Sequence, residues 1–481
     1  MGPADVLWLT MDRPTNLMVV VSVVLLESVP DWDRVLDVLR TRIVEPYPVF
    51  SQRPRRSARV LGRYRWEDDP DFDLARHVRR ATLSGRGTAA EADAELQAYV
   101  EEQLPRPFDR THPLWEAHLV DGHGPGAALV FRSHHALADG IALTRVLLGL
   151  TEDVDGVPGD LVGPPAAADL ATLPVGVPAA PGALGSSLRL ARTSGRSAWN
   201  RLRSRGARPA VTDAARLTLR TGQVVSDLLL TTNPASAVGG VPGRRKRLVW
   251  TQPLPLGDLK GVGRLVGATL NDVLMSAVAG ALHAYQQERG RTPVDLATMV
   301  PVNVRPLDEP LPPELGNRFA LVFLRFPSGE ATPLGRLALS KARMDWLKAS
   351  PEAALTLALI CVIGRFPAAL ERRVVDFFAD KAIGVTTNVA GPRQVRYLAG
   401  VPVAGVLGWV PGSGRHTLGF CIVTYDDTLR VGIMADESVV PDPEALLAAL
   451  EEEVALLVRI GAAALTTPTT PTAPWARRRR S

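Results

Sequence analysis

Two adjacent histidines, His134 and His135, open the motif HHALADG, which ends on Asp139 and Gly140 and follows an apolar, strand-like run. Because imidazole titrates near neutrality, a histidine at a strand end can accept and return a proton. The glycine lets the backbone approach a substrate where a Cβ would block it. The aspartate can hold the loop by pairing with an arginine. The motif therefore predicts a site of proton transfer, and a satisfied polar pair at a strand end is the structural alternative.

Strand and helix patterns on both sides of the motif indicate a mixed two-layer fold. The strand 126–133 leads into the histidines and the helix 141–150 follows them, so the motif is expected where a strand gives way to a helix. The other predicted strands are 17–26, 114–119, 247–254, 297–304, 319–326, 384–388, 419–425 and 428–434. The other predicted helices are 30–43, 89–102, 258–266, 271–290, 353–363 and 444–465.

A chain of 481 residues suits two domains rather than one core. We predict an N-terminal domain over 1–150, a linker over 151–214, a C-terminal domain over 215–466 and a disordered basic tail over 467–481. The linker begins rich in Pro, Gly and Ala and continues into an arginine-rich amphipathic segment, 184–205. That segment either lies on an anionic lipid surface or packs on the protein as a charged connecting helix.

Composition and missing motifs exclude several classes of protein. Cys361 and Cys421 lie in apolar surroundings and suit a reducing cytoplasm, and no apolar run is long enough to predict a membrane span. The net charge of +5 is weak support for nucleic-acid binding, so no nucleic-acid partner is expected. The sequence has no Gly-x-Ser-x-Gly elbow and no Walker loop, and no third metal ligand accompanies the histidines, so no metal site is predicted.

The motif HHxxxDG resembles the active-site motif of the CoA-dependent acyltransferase superfamily, which includes chloramphenicol acetyltransferase and peptide-synthetase condensation domains. Further segments, taken in order, resemble the bacterial wax ester synthase/diacylglycerol acyltransferase family. These are Pro113-Leu114-Trp115, Asn271-Asp272, Val300-Pro301-Val302-Asn303-Val304-Arg305, Leu315-Gly316-Asn317 and Thr387-Asn388-Val389-Ala390-Gly391-Pro392; the opening Pro3-Ala4-Asp5-Val6-Leu7-Trp8 is similar only loosely.

The resemblance implies an α/β (α+β) fold of two chloramphenicol-acetyltransferase-like domains, with mixed sheets flanked by helices and a crossover linker between them. It implies transfer of a fatty acyl group from acyl-CoA, as co-substrate, to diacylglycerol or a long-chain alcohol, with no bound cofactor. The resemblance places the general base at His135. His134 is then expected to shape the site, Asp139 to pair with an arginine for which Arg305 is the candidate, and Gly140 to leave room for the thioester.

The remaining motif residues have assignments with structural alternatives. Asn271 and Asp272 are expected to bind substrate or the oxyanion, and Asn271 could equally cap the helix that it opens. The others are predicted to be structural: Pro113, Leu114 and Trp115 as a packing element, and Asn388, Gly391 and Pro392 as a turn at a strand end.

Two readings from different classes remain open. The first is an acyl-CoA:alcohol acyltransferase, whose acceptor the sequence leaves between diacylglycerol, a fatty alcohol and another alcohol. The second is a non-catalytic relative that binds lipid surfaces through its basic segments. Either protein is expected in the cytoplasm, with peripheral attachment to the inner membrane or to lipid inclusions.

Overall fold

The computed structural model describes residues 1–56, 64–159, 232–303, 309–363, 366 and 368–466. Within this part of the chain, two mixed sheets are flanked by helices, as the sequence predicts. The linker beyond residue 159, including the basic segment 184–205, and the tail 467–481 lie outside the described residues.

The first half supplies one sheet and the helices around it. Local signals explain several of its boundaries: Thr88 and Glu91 form a capping box at the start of one helix, and Asp31 caps another. The elements are α1 Pro3–Met11, β1 Val19–Leu26, α2 Trp32–Leu39, β2 Gln52–Arg56, β3 Tyr64–Asp68, α3 Leu74–His77, β4 Val78–Thr82, α4 Ala89–Gln103, β5 Trp115–His123, β6 Gly126–His134 and α5 Gly140–Gly149.

The second half repeats this mixture and adds more helix. Its elements are β7 Lys246–Trp250, β8 Leu254–Pro255, α6 Leu256–Val266, α7 Leu270–Glu288, β9 Leu296–Asn303, β10 Phe319–Phe326, α8 Pro333–Lys348, α9 Glu352–Ile363, α10 Ala368–Ala379, β11 Gly384–Ala390, β12 Tyr397–Leu398, β13 Val401–Trp409, β14 Leu418–Tyr425, β15 Thr428–Asp436 and α11 Pro443–Thr466. Its central helix, α7, is buried along most of its length, because α8 and α11 pack against it.

One strand of the second half crosses into the sheet of the first. The first sheet has the order β12-β13-β1-β6-β5-β4, and the second has the order β10-β9-β11-β14-β15-β7. Strand β13 pairs antiparallel with β1, with Val21 opposite Trp409. Residues 397–409 therefore complete the first sheet, and the two halves are joined by backbone hydrogen bonds as well as by the linker.

The strand that carries the histidines runs through the centre of the first sheet. Every residue of β6 is buried, because apolar clusters cover both faces of the sheet. Phe131 belongs to the cluster on one face and Val130 to the cluster on the other. A strand packed on both sides has little freedom to move, so it fixes the position of whatever its end presents.

Features associated with membranes, metals and thiols are few. Among the described residues no single helix is long and apolar enough to cross a bilayer; the bent pair α6 and α7, which meet at 100°, reaches that length and composition only together. The same residues contain no group of three or more potential metal ligands. Cys421 is a buried free thiol, and burial raises its pKa to about 12.

Candidate active site

The motif begins where β6 ends and finishes where α5 begins. Main-chain bonds fix the two histidines at that point: the His134 N–H donates to Leu114 O at 2.9 Å, and the His135 N–H donates to Met18 O at 2.8 Å. The strand-to-helix position expected for the motif is therefore the one observed.

Asp139 ties this loop to the helix that follows and to the second half of the chain. It is buried, and its Oδ1 accepts the Ala142 N–H at 2.9 Å as the N-cap of α5. Its Oδ2 accepts the Arg318 N–H at 2.9 Å, and the Gly316 N–H donates to Leu137 O at 3.3 Å beside it. Asp139 thus orders the loop through main-chain donors. Arg305, its predicted partner, lies outside the described residues.

Gly140 is the first residue of α5 and is exposed. A Cβ built there would meet no atom within 4 Å, so the protein itself does not require a glycine at this position. Its expected role, to leave room for a thioester, stays a prediction that depends on the substrate.

His134 is closed off from any substrate. The ring is buried, its Nδ1 accepts the Ala136 N–H at 3.0 Å, and its Nε2 lies 3.1 Å from Asp12 Oδ2. Because Nδ1 accepts, the ring hydrogen is on Nε2 and is donated to Asp12. Burial alone would raise the pKa of Asp12, but hydrogen bonds from His134, Met18 N–H and Arg110 lower it. Both nitrogens of His134 are occupied, which suits its predicted role in shaping the site.

His135 lies in a different environment. Its ring is partly buried and stacks on the indole of Trp8, with centroids 4.0 Å apart and planes inclined by 22°, and Phe319 lies 6.0 Å away. The Nδ1 atom lies 3.1 Å from Asn317 Oδ1. The Nε2 atom has no hydrogen-bond partner among the residues that the structure describes. One nitrogen is therefore held by the protein, and the other is left for a substrate.

The amide of Asn317 determines which nitrogen carries the hydrogen. Its Nδ2 donates to Asp5 Oδ1 and to His135 O, both at 2.9 Å. Rotating the amide by 180° would turn its oxygen toward those two acceptors, so Oδ1 must face the imidazole. Oδ1 can only accept, so His135 Nδ1 donates to it and Nε2 keeps a lone pair. His135 is therefore arranged as a base through Nε2.

Burial keeps this base free of its proton. The loss of solvent around His135 lowers its pKa to about 4, although the hydrogen bond that its ring donates to Asn317 opposes the change. At neutral pH the ring is neutral, which is the form that can remove a proton from a hydroxyl. No carboxylate forms a hydrogen bond with this ring among the described residues, in contrast to His134.

The structural alternative for Asn271, that it caps the helix it opens, does not hold. Helix α7 begins at Leu270, and Thr269 is its cap: the Thr269 hydroxyl accepts the Asp272 N–H at 3.3 Å, and Asp272 Oδ2 accepts the Thr269 N–H at 2.8 Å. A threonine one residue before the helix, with an acidic side chain three residues later, completes a capping box, which Asn271 cannot do from inside the first turn. Asp272 is correspondingly buried as part of the cap.

Asn271 instead contacts the second sheet. Its Oδ1 accepts Asn388 Nδ2 at 3.3 Å, while its own Nδ2 has no partner among the described residues. The Oδ1 atoms of Asp272 and Asn388 are buried and likewise unpartnered in the described part of the chain. A small set of unused polar atoms is thus present at the start of α7. The sequence predicts that Asn388 belongs to a terminal turn, but β11 continues past it to Ala390.

Strand register relates Asn388, the partner of Asn271, to Phe319, which lies beside His135. Asn303 of β9 pairs with Phe319 of β10, and Val385 of β11 pairs in parallel with Met299 of β9. Continuing that register places Val389 beside Asn303, so Asn388 and Phe319 are separated by about two strand spacings, roughly 10 Å. His135 and Asn271 form no hydrogen bond with each other among the described residues.

The other motif residues have structural roles near the site. Leu114 and Trp115 are fully buried, and the Trp115 indole donates to Phe50 O at 2.8 Å while stacking on Phe131. Together with Pro113 they form a packing element directly beside the strand end, since Leu114 O holds the His134 N–H. Near the end of β11, the Gly391 N–H donates to Thr424 Oγ1 at 3.2 Å. Pro392 O accepts the Asp426 N–H at 3.0 Å.

Three residues around His135 have no role in the sequence analysis: Asp5, Trp8 and Asn317. The family resemblance includes all three, through the opening segment and the Leu315-Gly316-Asn317 triplet, but attaches no function to them. They reach His135 only in the fold, because 182 residues separate Asn317 from it along the chain. The only sequence signal for these three residues was that their segments resemble the family pattern, and no local feature distinguished them from the other residues of those segments.

A basic imidazole of an HHxxxDG motif, set at a strand end between two mixed sheets, defines the class of CoA-dependent acyltransferases. The fold agrees with that class. The first condensation domain of the calcium-dependent antibiotic synthetase is similar over 96% of each chain, with 16% identity and a TM-score of 0.58. The wax ester synthase/diacylglycerol acyltransferase of Marinobacter aquaeolei is similar over 96% of this chain and 99% of that one, with 22% identity and a TM-score of 0.63.

The chain belongs to the wax ester synthase/diacylglycerol acyltransferase family and is an acyltransferase. The catalytic-domain model of the family matches residues 1–274, and its C-terminal-domain model matches residues 315–457. A Mycobacterium tuberculosis protein named as a diacylglycerol O-acyltransferase is 31% identical over 405 residues, 81% of each chain. A second such protein from this organism is 28% identical over 457 residues, 93% of each chain.

Proposed function

We propose that this acyltransferase moves a fatty acyl group from acyl-CoA to the hydroxyl of diacylglycerol or of a long-chain alcohol. The observation that carries the proposal is that His135 Nε2 has no hydrogen-bond partner in the described part of the chain, while the opposite nitrogen is held by Asn317. The substrate class comes from the names of its relatives: the mycobacterial proteins are named for diacylglycerol, and the Marinobacter enzyme for wax esters as well.

The reaction follows from one basic nitrogen. The acceptor hydroxyl lies against His135 Nε2, which takes its proton as the oxygen attacks the thioester carbon. The tetrahedral intermediate then collapses, the C–S bond breaks, and the imidazolium returns the proton to the CoA sulfur. Such a base contributes about 10²- to 10⁴-fold to the rate. No acyl-enzyme is required, because acceptor and donor meet at the same ring.

The oxyanion of the intermediate needs a donor, and Asn271 is our candidate. Its Nδ2 is unpartnered among the described residues, and the amide is held in place by Asn388 through its oxygen. Because this group is fixed before the substrate arrives, it can stabilise the developing charge without reorganisation, a contribution of about 10²- to 10³-fold. For this role Asn271 Nδ2 must reach the carbonyl oxygen of the same thioester whose carbon is attacked beside His135 Nε2.

An acceptor panel tests this function. Purified full-length protein is given palmitoyl-CoA with diacylglycerol, hexadecanol or no acceptor, and free CoA thiol and lipid product are both measured. We expect thiol release in proportion to ester formed, and loss of both in His135→Ala. The matched control is His123→Ala, a partly exposed histidine bonded to Asp93. Thiol release without ester, or ester formation by His135→Ala, would contradict the proposal.

We further propose that the enzyme works while attached peripherally to a lipid surface, through a patch on α9 and α10. Helix α9 is apolar on both sides, because Ile360 and Ile363 pack inward while Val362 (51% exposed) faces out, and α10 exposes Leu370 (47%) and Phe377 (45%) among charged residues. A helix with two apolar faces suits burial on both sides. Exposed Arg373 lies between Leu370 and Phe377 on α10. Positive charge beside apolar side chains favours anionic headgroups.

Vesicle binding tests the patch. Leu370→Gln/Phe377→Gln is compared with Leu334→Gln/Leu339→Gln, which changes two exposed leucines of α8 (52% and 38% exposed). We expect the wild type and the α8 control to co-sediment with phosphatidylglycerol vesicles and the patch variant to lose most of this binding. Equal binding by the patch variant would reject this surface and leave the segment 184–205 and the tail as the alternatives.

A further inference from the structure

We propose that Asp5 and Asn317 form a positioning pair that holds His135 as the Nδ1–H tautomer, with Nε2 aimed at the substrate. The inference deepens the proposed function and rests on it for the role of His135 as base. Neither residue is assigned to touch a reacting atom. Both act through the imidazole, Asn317 directly and Asp5 through Asn317.

Asp5 is built to fix one orientation of one amide. It is buried in α1, and its two oxygens accept three N–H groups: Gly2 N–H at 2.7 Å, Asn317 N–H at 3.0 Å and Asn317 Nδ2 at 2.9 Å. The last two bonds come from the backbone and the side chain of the same residue. Both are accepted by Asp5 Oδ1, so rotating the amide of Asn317 would replace one of the two donors to this buried oxygen with the amide oxygen, which can only accept.

The surroundings of Asp5 suit its ionised form. Burial raises its pKa, and the hydrogen bonds from Asn317 and Gly2 oppose that change. All the hydrogen-bond partners of Asp5 among the described residues are donors, so a proton on the carboxyl would face an N–H rather than an acceptor. The carboxylate therefore polarises the amide, which makes Asn317 Oδ1 a better acceptor for the imidazole N–H.

The amide between the carboxylate and the imidazole separates two effects that usually occur together. A carboxylate in direct contact orients a histidine and also raises its pKa, because the negative charge favours the imidazolium. Asn317 transmits the orientation without placing a charge on the ring, so the pKa of His135 stays near 4. The result is a correctly oriented base that remains unprotonated across the neutral range.

The first experiment replaces the amide with a carboxylate. In Asn317→Asp a negative charge contacts the imidazole directly, so the pKa of His135 should rise by ~1–3 units. The acid limb of the kcat–pH profile should move to higher pH by the same amount. The double variant Asp5→Asn/Asn317→Asp restores a donor opposite the new carboxylate and should keep the shifted limb if the single variant folds poorly. A residue with a merely structural role would lower kcat without moving the limb.

The second experiment removes the amide. Asn317→Ala should lower kcat by ~10- to 10²-fold, the usual effect of losing a group that orients a ligating or catalytic histidine, while the KM for palmitoyl-CoA stays close to the wild-type value. Asn233→Ala is the matched control: that amide also bonds main-chain groups, those of Ala297 in β9, but forms no hydrogen bond with His135. A fall in kcat equal in the two variants would overturn the proposal.

Nitrogen NMR of histidine-labelled protein separates this inference from the proposed function. The His135 signals, identified by their loss in His135→Ala, should show a protonated Nδ1 and a bare Nε2, and the tautomer should become mixed in Asn317→Ala. If the wild type shows this pattern but transfers no acyl group, the proposed function fails and the positioning pair stands. A hydrogen on Nε2 in the wild type would overturn the positioning pair, whatever the activity.

Discussion

The two histidines of the motif are adjacent in sequence and opposite in what the fold does with them. His134 faces Asp12 and Ala136, which occupy both of its nitrogens. His135 faces Trp8 and Asn317, which cover the ring and occupy only Nδ1. Side chains of consecutive residues at a strand end point to opposite sides. One imidazole can therefore have a structural role while its neighbour takes part in the reaction.

The kinds of partner differ as well as their number. The His134 side is charged, with Asp12 held between the histidine, Arg110 and a main-chain N–H. The His135 side is neutral and aromatic, and the carboxylate of Asp5 reaches the ring only through Asn317. The charged side is suited to stability and the neutral side to keeping a base unprotonated.

The largest expected effect is from exchanging the two histidines for alanine one at a time. His135→Ala should reduce kcat by about 10²- to 10⁴-fold and leave thermal unfolding nearly unchanged, because the ring is only partly buried and bonds to one side chain. His134→Ala should mainly reduce stability, since it removes a buried ring and leaves Asp12 with one donor fewer. Steady-state kinetics and differential scanning calorimetry on the same preparations make the comparison.

The assignment of the two histidines would be contradicted if His134→Ala mainly lowered kcat or His135→Ala mainly lowered stability. A folded His134→Ala enzyme with as little activity as His135→Ala would mean that the buried ring takes part in the chemistry. A strong loss of stability in His135→Ala would mean that its contact with Trp8 is structural.

Asp139→Ala should lower both activity and stability, because it removes a support common to both histidines. Loss of the helix cap costs about 1 kcal/mol, and the Arg318 N–H left without its acceptor costs about 1–3 kcal/mol more. A loop displaced by about 1 Å can lose on the order of 10²-fold in rate. Asp31→Ala, which removes the cap of α2 away from the site, is the control for capping alone. Lost activity with an unchanged melting curve would contradict the structural role of Asp139.

The main elements around the motif could be predicted from sequence because their signals are local. The predicted strand 126–133 differs from β6 by one residue at one end, and the predicted helix 141–150 differs from α5 by one residue at each end. The predicted strand 319–326 coincides with β10, since its alternating burial follows from the strand period of two. By contrast, α1 is not predicted, although it carries Asp5 and Trp8. It is a short helix whose stability comes from packing on α9 and α10 rather than from its own sequence.

The site itself was predictable only as far as the motif extends. His135 could be proposed because its neighbours in sequence form a recognisable pattern. Asn317 could not be given a role, because its contact with His135 is created by the bridge between Ala138 and Gly316, which joins the two halves of the chain. The crossing of β13 into the first sheet is a similar case: pairing between Val21 and Trp409 leaves no trace in the period of either strand.

The indole of Trp8 stacks on the His135 ring and shields it from water. We expect this shielding to set the pH range in which the enzyme is active and stable. Its folded pKa of about 4 lies below the ordinary value of 6.5, so between these values the unfolded chain binds more protons. The contribution of His135 to stability is therefore complete above pH 6.5 and is lost as the pH falls toward 4. Trp8→Leu should admit water, raise the pKa of His135 toward its ordinary value and reduce kcat by a few-fold near pH 6.

Urea unfolding at pH 5 and pH 7.5, with kcat measured across the same range, tests this shielding. We expect the difference in unfolding free energy between the two pH values to be smaller in Trp8→Leu than in the wild type. His416, whose pKa burial also lowers to about 4, is unchanged in both proteins and cancels from the comparison. An unshifted acid limb in Trp8→Leu would mean that the indole does not control the pKa of the base.

The smallest effect on activity is expected from Asp12→Asn, which makes the charged side neutral. One oxygen remains for the Met18 N–H, but the new amide nitrogen faces two donors, His134 and Arg110, so stability at pH 7 should fall by about 1–3 kcal/mol. The pKa of Asp12 is lowered in the folded protein. Its contribution is thus present above the unfolded value of 3.8 and lost as the pH falls through the folded one, so the stability difference between wild type and variant should shrink below pH 4. Because Asn317 and Trp8 are untouched, kcat should change far less than in Asn317→Ala, and a comparable loss would show that the two sides of the strand end are not independent.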